Sequence, residues 1–256
     1  MRVISLGWGA QSFTLAAMVA LGELEPVDAA IHSDTGFESA LTYEFAKRWT
    51  LWLESHGVKV VTVKGTNGTF EEVSDVTRTT NKGFMKIPAF TEVDGVRQIL
   101  PRQCTTEWKI APVRRWLQSN RNKQPVEQWI GISLDEMERM RRHSGVKYIT
   151  NRYPLFEKRI TRVACQLWLE KNGIEVPPKS ACVFCPYHNK AGWIKTKSVP
   201  DDWRRAVAMD EHIRDMVDGR KNYLSHYLKP LTELDLSTPE ENGQMNFFDC
   251  SGTCWL

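Results

Sequence analysis

The chain has 256 residues, 41% of them hydrophobic and 25% charged, and it contains no internal repeat or low-complexity tract. That length and composition suit a globular protein with one α/β core and an appendage. With 34 Lys and Arg against 31 Asp and Glu, the net charge of +3 argues neither for nor against nucleic acid. No apolar run approaches the roughly 20 residues of a membrane span, and the N-terminus has a strand pattern where a signal peptide would have an apolar segment. The expected location is therefore the cytoplasm, with no membrane partner.

The elements follow in chain order. Arg2 to Leu6 reads as a buried strand, and Gln11 to Leu21 as a helix with Phe13, Leu15, Ala16, Met18 and Val19 at helical spacing. Val27 to Ser33 is a second strand, Ala40 to His56 a second helix, and Val58 to Val63 a third strand rich in β-branched residues. Between Gly65 and Arg102 the pattern breaks, as in a long mobile loop or a hairpin around Asp94-Gly95. A helix near Glu107 to Ser119 and a strand at Val126 to Ile132 resume the alternation. Repeated βαβ units predict a Rossmann-like parallel sheet with ligands at the carboxyl ends of its strands. Residues 1–150 are assigned to that domain. Residues 151–256 are assigned to a small, mostly helical subdomain with helices near Arg159 to Asn172 and from Asp201 to Asp218, then a tail from Ser237.

Two opening loops carry the first chemical signal. Ser5-Leu6-Gly7-Trp8-Gly9-Ala10-Gln11-Ser12 lies between strand and helix, where backbone N–H groups freed at a glycine turn can cradle phosphate. His32 to Glu38 follows the next strand and would place Asp34 beside that cradle; Asp34 also reads as a turn residue. Neither the Walker A pattern nor the dinucleotide fingerprint fits. The six cysteines carry the second signal, because disulfides are rare in a reducing compartment and clustered thiols there read as metal or redox groups. In C-V-F-C, Cys182 and Cys185 can converge on one centre, and Cys104 and Cys165 would complete a set of four. Cys165 also reads as a small hydrophobe on an amphipathic helix. Cys250 and Cys254, near the C-terminus, would suit a mobile thiol pair that carries sulfur.

The first loop resembles the PP-loop, S-x-G-G-x-D-S, of the ATP pyrophosphatase superfamily, in the branch that contains the phosphoadenosine phosphosulfate (PAPS) reductases. Three later segments resemble that branch in order: H-S-D-T-G-F-E, Q-C-T-T-E-W-K-I-A-P-V-R-R from Gln103, and W-I-G-I-S-L-D-E-M-E-R from Trp129. The stretch around Cys165 leading to Cys182 is also similar to cluster-bearing relatives tied to DNA phosphorothioation. The resemblance implies that Ser5, Gly7, Gly9, Gln11, Ser12 and Asp34 hold ATP, or PAPS or adenylyl sulfate (APS). It implies that Lys109, Arg114 and Arg115 line the site for phosphate or sulfate, with Arg139 reaching it or pairing with Asp135; an exposed helix face is the plain alternative. It further implies a [4Fe–4S] cluster on Cys104 and the C-x-x-C pair, with zinc as the alternative. Cys250, Cys254 and Asp34 are the implied catalytic residues. Gln11 stands where the pattern has Asp, which weakens magnesium binding at the loop unless Asp34 supplies the ligand. His143 and His188 are read as structural, and Trp8 as a base-stacking candidate.

The implied activity is an adenylylating ATP pyrophosphatase that transfers sulfur to a nucleotide or nucleic acid, DNA or tRNA, supplied by a cysteine desulfurase. The alternatives are a sulfonucleotide reductase that uses a C-terminal cysteine and thioredoxin, and a nucleotide-binding module without catalysis. A homo-oligomer is open under all three.

Overall fold

A computed structural model describes residues 1–73, 85–141, 144–216 and 219–237. Cys250, Cys254, His143 and the tail beyond Ser237 lie outside the described residues. The first part of the chain is β1 (Arg2–Ser5), α1 (Ala10–Ala20), β2 (Ala29–Asp34), α2 (Ala40–Ser55), β3 (Val60–Lys64), β4 (Phe90–Val93) and β5 (Val96–Ile99). A π-helical turn over Thr105–Ile110 then runs into α3 (Ala111–Asn120). After it come β6 (Val126–Ile130), a 3-10 turn over Leu134–Arg139, β7 (Ile149–Arg152) and the short α4 (Pro154–Glu157). The chain continues through α5 (Arg162–Lys171), α6 (Lys190–Lys197), α7 (Pro200–His212) and β8 (Asn222–Tyr223).

The main sheet has the order β3-β2-β1-β6-β7, and every pair in it is parallel. The chain therefore has the Rossmann-like α/β fold expected of its alternating pattern. Strands first build outward from β1 to β3 and then continue on the other side with β6, so the winding reverses between β1 and β6. In open parallel sheets that reversal opens a crevice at the carboxyl ends of the strands.

Packing on both faces explains the uninterrupted apolar run of β1. Neighbouring strand residues point to opposite faces. Val3 joins Ala29, Ile31, Val113, Leu117 and Val126 on the α3 side. Ile4 joins Phe13, Leu15, Phe45 and Trp129 beneath α1 and α2. Fully burying each large side chain of this kind contributes about 1.5–3 kcal/mol. Helix α2 begins where Ser39 accepts the Thr42 N–H, and Asp202 of α7 accepts the Ala40 N–H at 3.1 Å, so two carboxylate or hydroxyl groups cap its first turn.

The hydrophobic clusters do not part at residue 150. Helix α5 places Cys165 and Leu169 in the cluster built on β1 and α1. A second cluster joins Phe37, Met85, Ile87 and Trp108 to Phe184, Trp193, Met209 and Leu231. The segment after Gly65 forms a hairpin at Asp94-Gly95, and β4 pairs antiparallel with both β5 and β8, which stitches this hairpin to the C-terminal part. Among the described residues, no helix is long and apolar enough to cross a membrane.

Candidate functional site

The β1–α1 loop sits at the crevice. Ser5 pairs with both Ile31 and Ile130, so the loop leaves the sheet between β2 and β6. The Gly7 N–H donates to Ser12 Oγ at 3.1 Å, and the Ser12 hydroxyl donates to the Gly9 carbonyl at 3.3 Å. Gly9 is the N-cap of α1 in extended conformation, with no side chain capping the helix. The open helix end suits an anion. A Cβ on Gly131, just past β6, would fall 2.7 Å from the Ser12 nitrogen, so only glycine lets the end of β6 close against the loop.

Gln11 turns away from the cradle. Its amide donates to Glu136 at 2.9 Å and reaches Ser133 Oγ at 3.4 Å. Arg139 pairs with the same Glu136 at 2.8 Å, where the sequence offered Asp135 as its partner, and Asp135 instead accepts the Arg162 N–H. Trp8 also departs from expectation. It has φ 56° and is 1% exposed, packed among Phe13, His32 and Phe45, so its ring is a core group with no free face for a base.

The end of β2 forms the second wall. Asp34 Oδ1 accepts both the Gly36 N–H at 2.8 Å and the Tyr43 hydroxyl at 2.7 Å, an Asx-type turn that fixes the carboxylate at the carboxyl edge. Burial, with the Asp34 hydrogen bond, pushes the Tyr43 phenol well above its usual range, so it stays a donor. Glu38, with its side chain 2% exposed, accepts from Lys109 Nζ at 3.1 Å and faces Ser180 Oγ at 3.3 Å. Burial opposes the Lys109 ammonium, but Glu38 and the thiols of Cys182 and Cys104 outweigh it and hold the pKa above the ordinary lysine value.

Three thiols gather on this wall. The π-helical turn that carries Lys109 rests on the strand ends: Ser33 donates to the Trp108 carbonyl at 2.6 Å. A Cβ on Gly65 would fall on that carbonyl and 2.9 Å from the Asp34 carbonyl. Cys104 opens the turn, its N–H held by the Lys86 carbonyl at 2.7 Å. The C-x-x-C loop zips onto the segment after β2 through a Glu38–Cys182 bridge, a 2.8 Å bond from Val183 N to Phe37 O, and a 3.5 Å contact between Thr35 Oγ1 and Cys182 Sγ. Burial pushes Cys182 up to about 12 and raises Cys104 and Cys185; the three thiols and Lys109 act on one another electrostatically. His188 donates from Nε2 to the Cys182 carbonyl at 3.1 Å, and burial holds it down to about 4, so it is neutral. Among the described residues, no group of three or more His, Cys, Asp or Glu side chains is placed to hold a single metal ion.

Thiol wall and cradle touch through Ser180. Its hydroxyl donates to the Gly7 carbonyl at 2.6 Å, two residues before Cys182. Ser180, Glu38, Thr35, Tyr43 and Glu136 were not singled out from sequence. The run from His32 to Glu38 and the start of α2 contained three of them, but nothing local marked Ser180, whose partner is 173 positions away.

Two expected site residues are engaged with other partners. Cys165 is fully buried under α1, with its carbonyl near Thr14 Oγ1 at 3.5 Å, in a different cluster from the other three thiols. Arg114 donates to the Ser144 carbonyl.

No protein-family model matches the chain, and no curated protein matches it. Among solved structures it is similar to the crystal structure of phosphoadenylyl-sulfate (PAPS) reductase from Candida auris in a phosphate complex, with 11% sequence identity and a TM-score of 0.44. The similarity covers 69% of this chain and 74% of that one.

Proposed function

We propose that the chain is a PP-loop enzyme that binds an adenine nucleotide on the β1–α1 loop and joins its activation to sulfur chemistry at Cys104, Cys182 and Cys185. The observation that carries this reading is the Ser180 hydroxyl on the Gly7 carbonyl, which couples the cysteine segment directly to the phosphate cradle. In this reading the free N–H groups at the start of α1 bind the phosphates, and Asp34, oriented by Tyr43 and Gly36, faces the nucleotide from β2. ATP is the favoured nucleotide, with PAPS or APS as alternatives. An acceptor oxygen attacks the α-phosphorus of ATP, pyrophosphate leaves, and sulfur at the sulfide level then displaces AMP, so the exchange is redox-neutral. Adenylylation turns a poor oxygen leaving group into a good one, and the loop contributes by fixing position and offsetting charge.

The three thiols fit an iron–sulfur cluster. Cys104 and Cys182 come from two segments and pack against one hydrophobic cluster, Cys185 follows three residues on, and Lys109 acts on all three, a thiolate donor set that would suit such a cluster. A [4Fe–4S] cluster there would supply a site for sulfur or electron transfer. The chain's own part is to hold the thiols half-buried and to keep Lys109 near them as a counter-charge. Gln11, engaged with Glu136, leaves magnesium to Asp34 or to the nucleotide itself. In this reading the sulfur acceptor is DNA or tRNA and a cysteine desulfurase supplies the sulfur.

Anaerobically purified protein should release pyrophosphate from ATP when given a sulfur donor and an acceptor. Sulfite release from adenylyl sulfate with thioredoxin would replace this reading with the reductase, in which a terminal cysteine attacks sulfur. ATP binding with neither product would leave a binding module.

A further inference from the structure

Resting on the reading above, we propose that the mouth of the thiol pocket is a docking surface for single-stranded nucleic acid, with Tyr187 as its stacking platform and Arg102 as its nearest phosphate contact. The whole chain is nearly charge-balanced, but the two segments that supply the thiols are not. Residues 95–106 and 176–200 hold Arg97, Arg102, Lys179, Lys190, Lys195 and Lys197 and no Asp or Glu. The Arg102 guanidinium lies 5.4 Å from the centroid of the Tyr187 ring, which is 38% exposed. Arg102 stands two residues before Cys104 and Tyr187 two residues after Cys185, so their contact joins the two thiol segments and places the pair at the edge of the sulfur pocket.

Two features favour a polymer over a single nucleotide. The phosphates of one nucleotide are accounted for by the β1–α1 loop, whereas α6, which starts three residues after Tyr187, carries two further exposed cations that make no ion pair among the described residues: Lys195, and Lys197 with its ammonium 6.0 Å from the Trp203 ring. Lys109, by contrast, is matched by Glu38 and adds little to the outward field. An exposed tyrosine under an arginine offers a base a flat π face and a cation for the adjoining phosphate, the pairing that single strands use with little regard to sequence. A duplex keeps its bases stacked and gains nothing from Tyr187.

The test is fluorescence anisotropy with a labelled single-stranded DNA oligonucleotide, the full chain and salt raised from about 50 to about 200 mM. Binding should weaken steeply with salt. Tyr187→Ala should lose about tenfold in affinity, while Tyr187→Phe keeps it. Lys195→Gln and Lys197→Gln should each lower the salt slope by about one. ATP affinity, measured on the same variants by calorimetry, should stay at the wild-type value, so a failure of the surface and a failure of the nucleotide reading are told apart. Absent oligonucleotide binding, equal affinity for duplex and single strand, or wild-type affinity in Tyr187→Ala would each overturn the proposal. So would salt-sensitive binding that an acidic protein competes away but an unlabelled oligonucleotide does not.

Discussion

Cys165 and Cys182 are the same residue type, the first fully buried and the second partly so, and burial pushes both up to about 12. Their surroundings separate them. Cys165 lies on α5 in an aliphatic and aromatic core with Ala17, Leu15 and Leu169, where burial outweighs the Thr14 hydroxyl and the Arg162 charge that favour its thiolate. Cys182 lies where the Lys109 cation acts on it against Glu38 and the Cys185 thiol, so a metal or a reaction partner beside Lys109 can draw out its thiolate. A buried thiol is thus defined by which charges are buried with it. The first region should answer to mutation in stability, the second in chemistry.

The largest effect expected breaks or secures that contrast at once. Cys182→Ala and Cys185→Ala, purified without oxygen, should lose all bound iron and acid-labile sulfide. Cys165→Ala should keep both at the wild-type ratio and lose about 1–2 kcal/mol in urea unfolding. Iron retained in Cys182→Ala, or lost in Cys165→Ala, would reverse the two assignments. Next comes the crevice. Gly131→Val should weaken nucleotide binding by about tenfold or more, because overpacking at the 2.7 Å approach to Ser12 costs about 1–3 kcal/mol. Calorimetry showing wild-type affinity would remove the β1–α1 loop from the site.

Smaller effects sharpen the comparison. Lys109→Met leaves the Glu38 carboxylate, 2% exposed, without its cation. Breaking a fully buried pair costs about 3–5 kcal/mol, but Lys109 is 43% exposed, so about 1–2 kcal/mol is expected, and Glu38→Gln added to it should recover part. On the core side, burial holds the His32 pKa below 6.5. Between that folded value and 6.5 the unfolded chain binds more protons. Stability should therefore fall as pH drops below 6.5 and level off under the folded pKa, and His32→Gln should flatten a series of denaturation midpoints over that range. The smallest effect is at Arg139, 62% exposed and paired with Glu136: Arg139→Ala should change stability by under about 1 kcal/mol. If it also grips nucleotide phosphate, affinity will drop while the unfolding midpoint stays put.

Much of the core region was legible from sequence because its pattern is periodic and buried on both faces. The stretch from β1 to β3 matches expectation within about two residues at each end, since each strand runs apolar and each helix shows one apolar side. Helix α6 escaped because it buries only Trp193 and Thr196, too few for a helical stripe. Strand β7 is four residues long with one buried position. The π-helical turn was read as the front of α3, since its composition resembles any helix start. Cys165 was grouped with the other thiols because counting cysteines along the chain cannot see which cluster a helix faces. The Glu38–Lys109–Ser180 constellation depends on contacts across 71 and 142 positions, which no local pattern encodes.

The seat of the π-helical turn is the Trp108 carbonyl, which lies over the backbone of Gly65 and accepts the Ser33 hydroxyl. Its pitch accordingly hangs on two small residues, Ser33 and Gly65. One added methyl at position 65 would act like a shim under a hinge, tilting the thiol at one end and the ammonium at the other together.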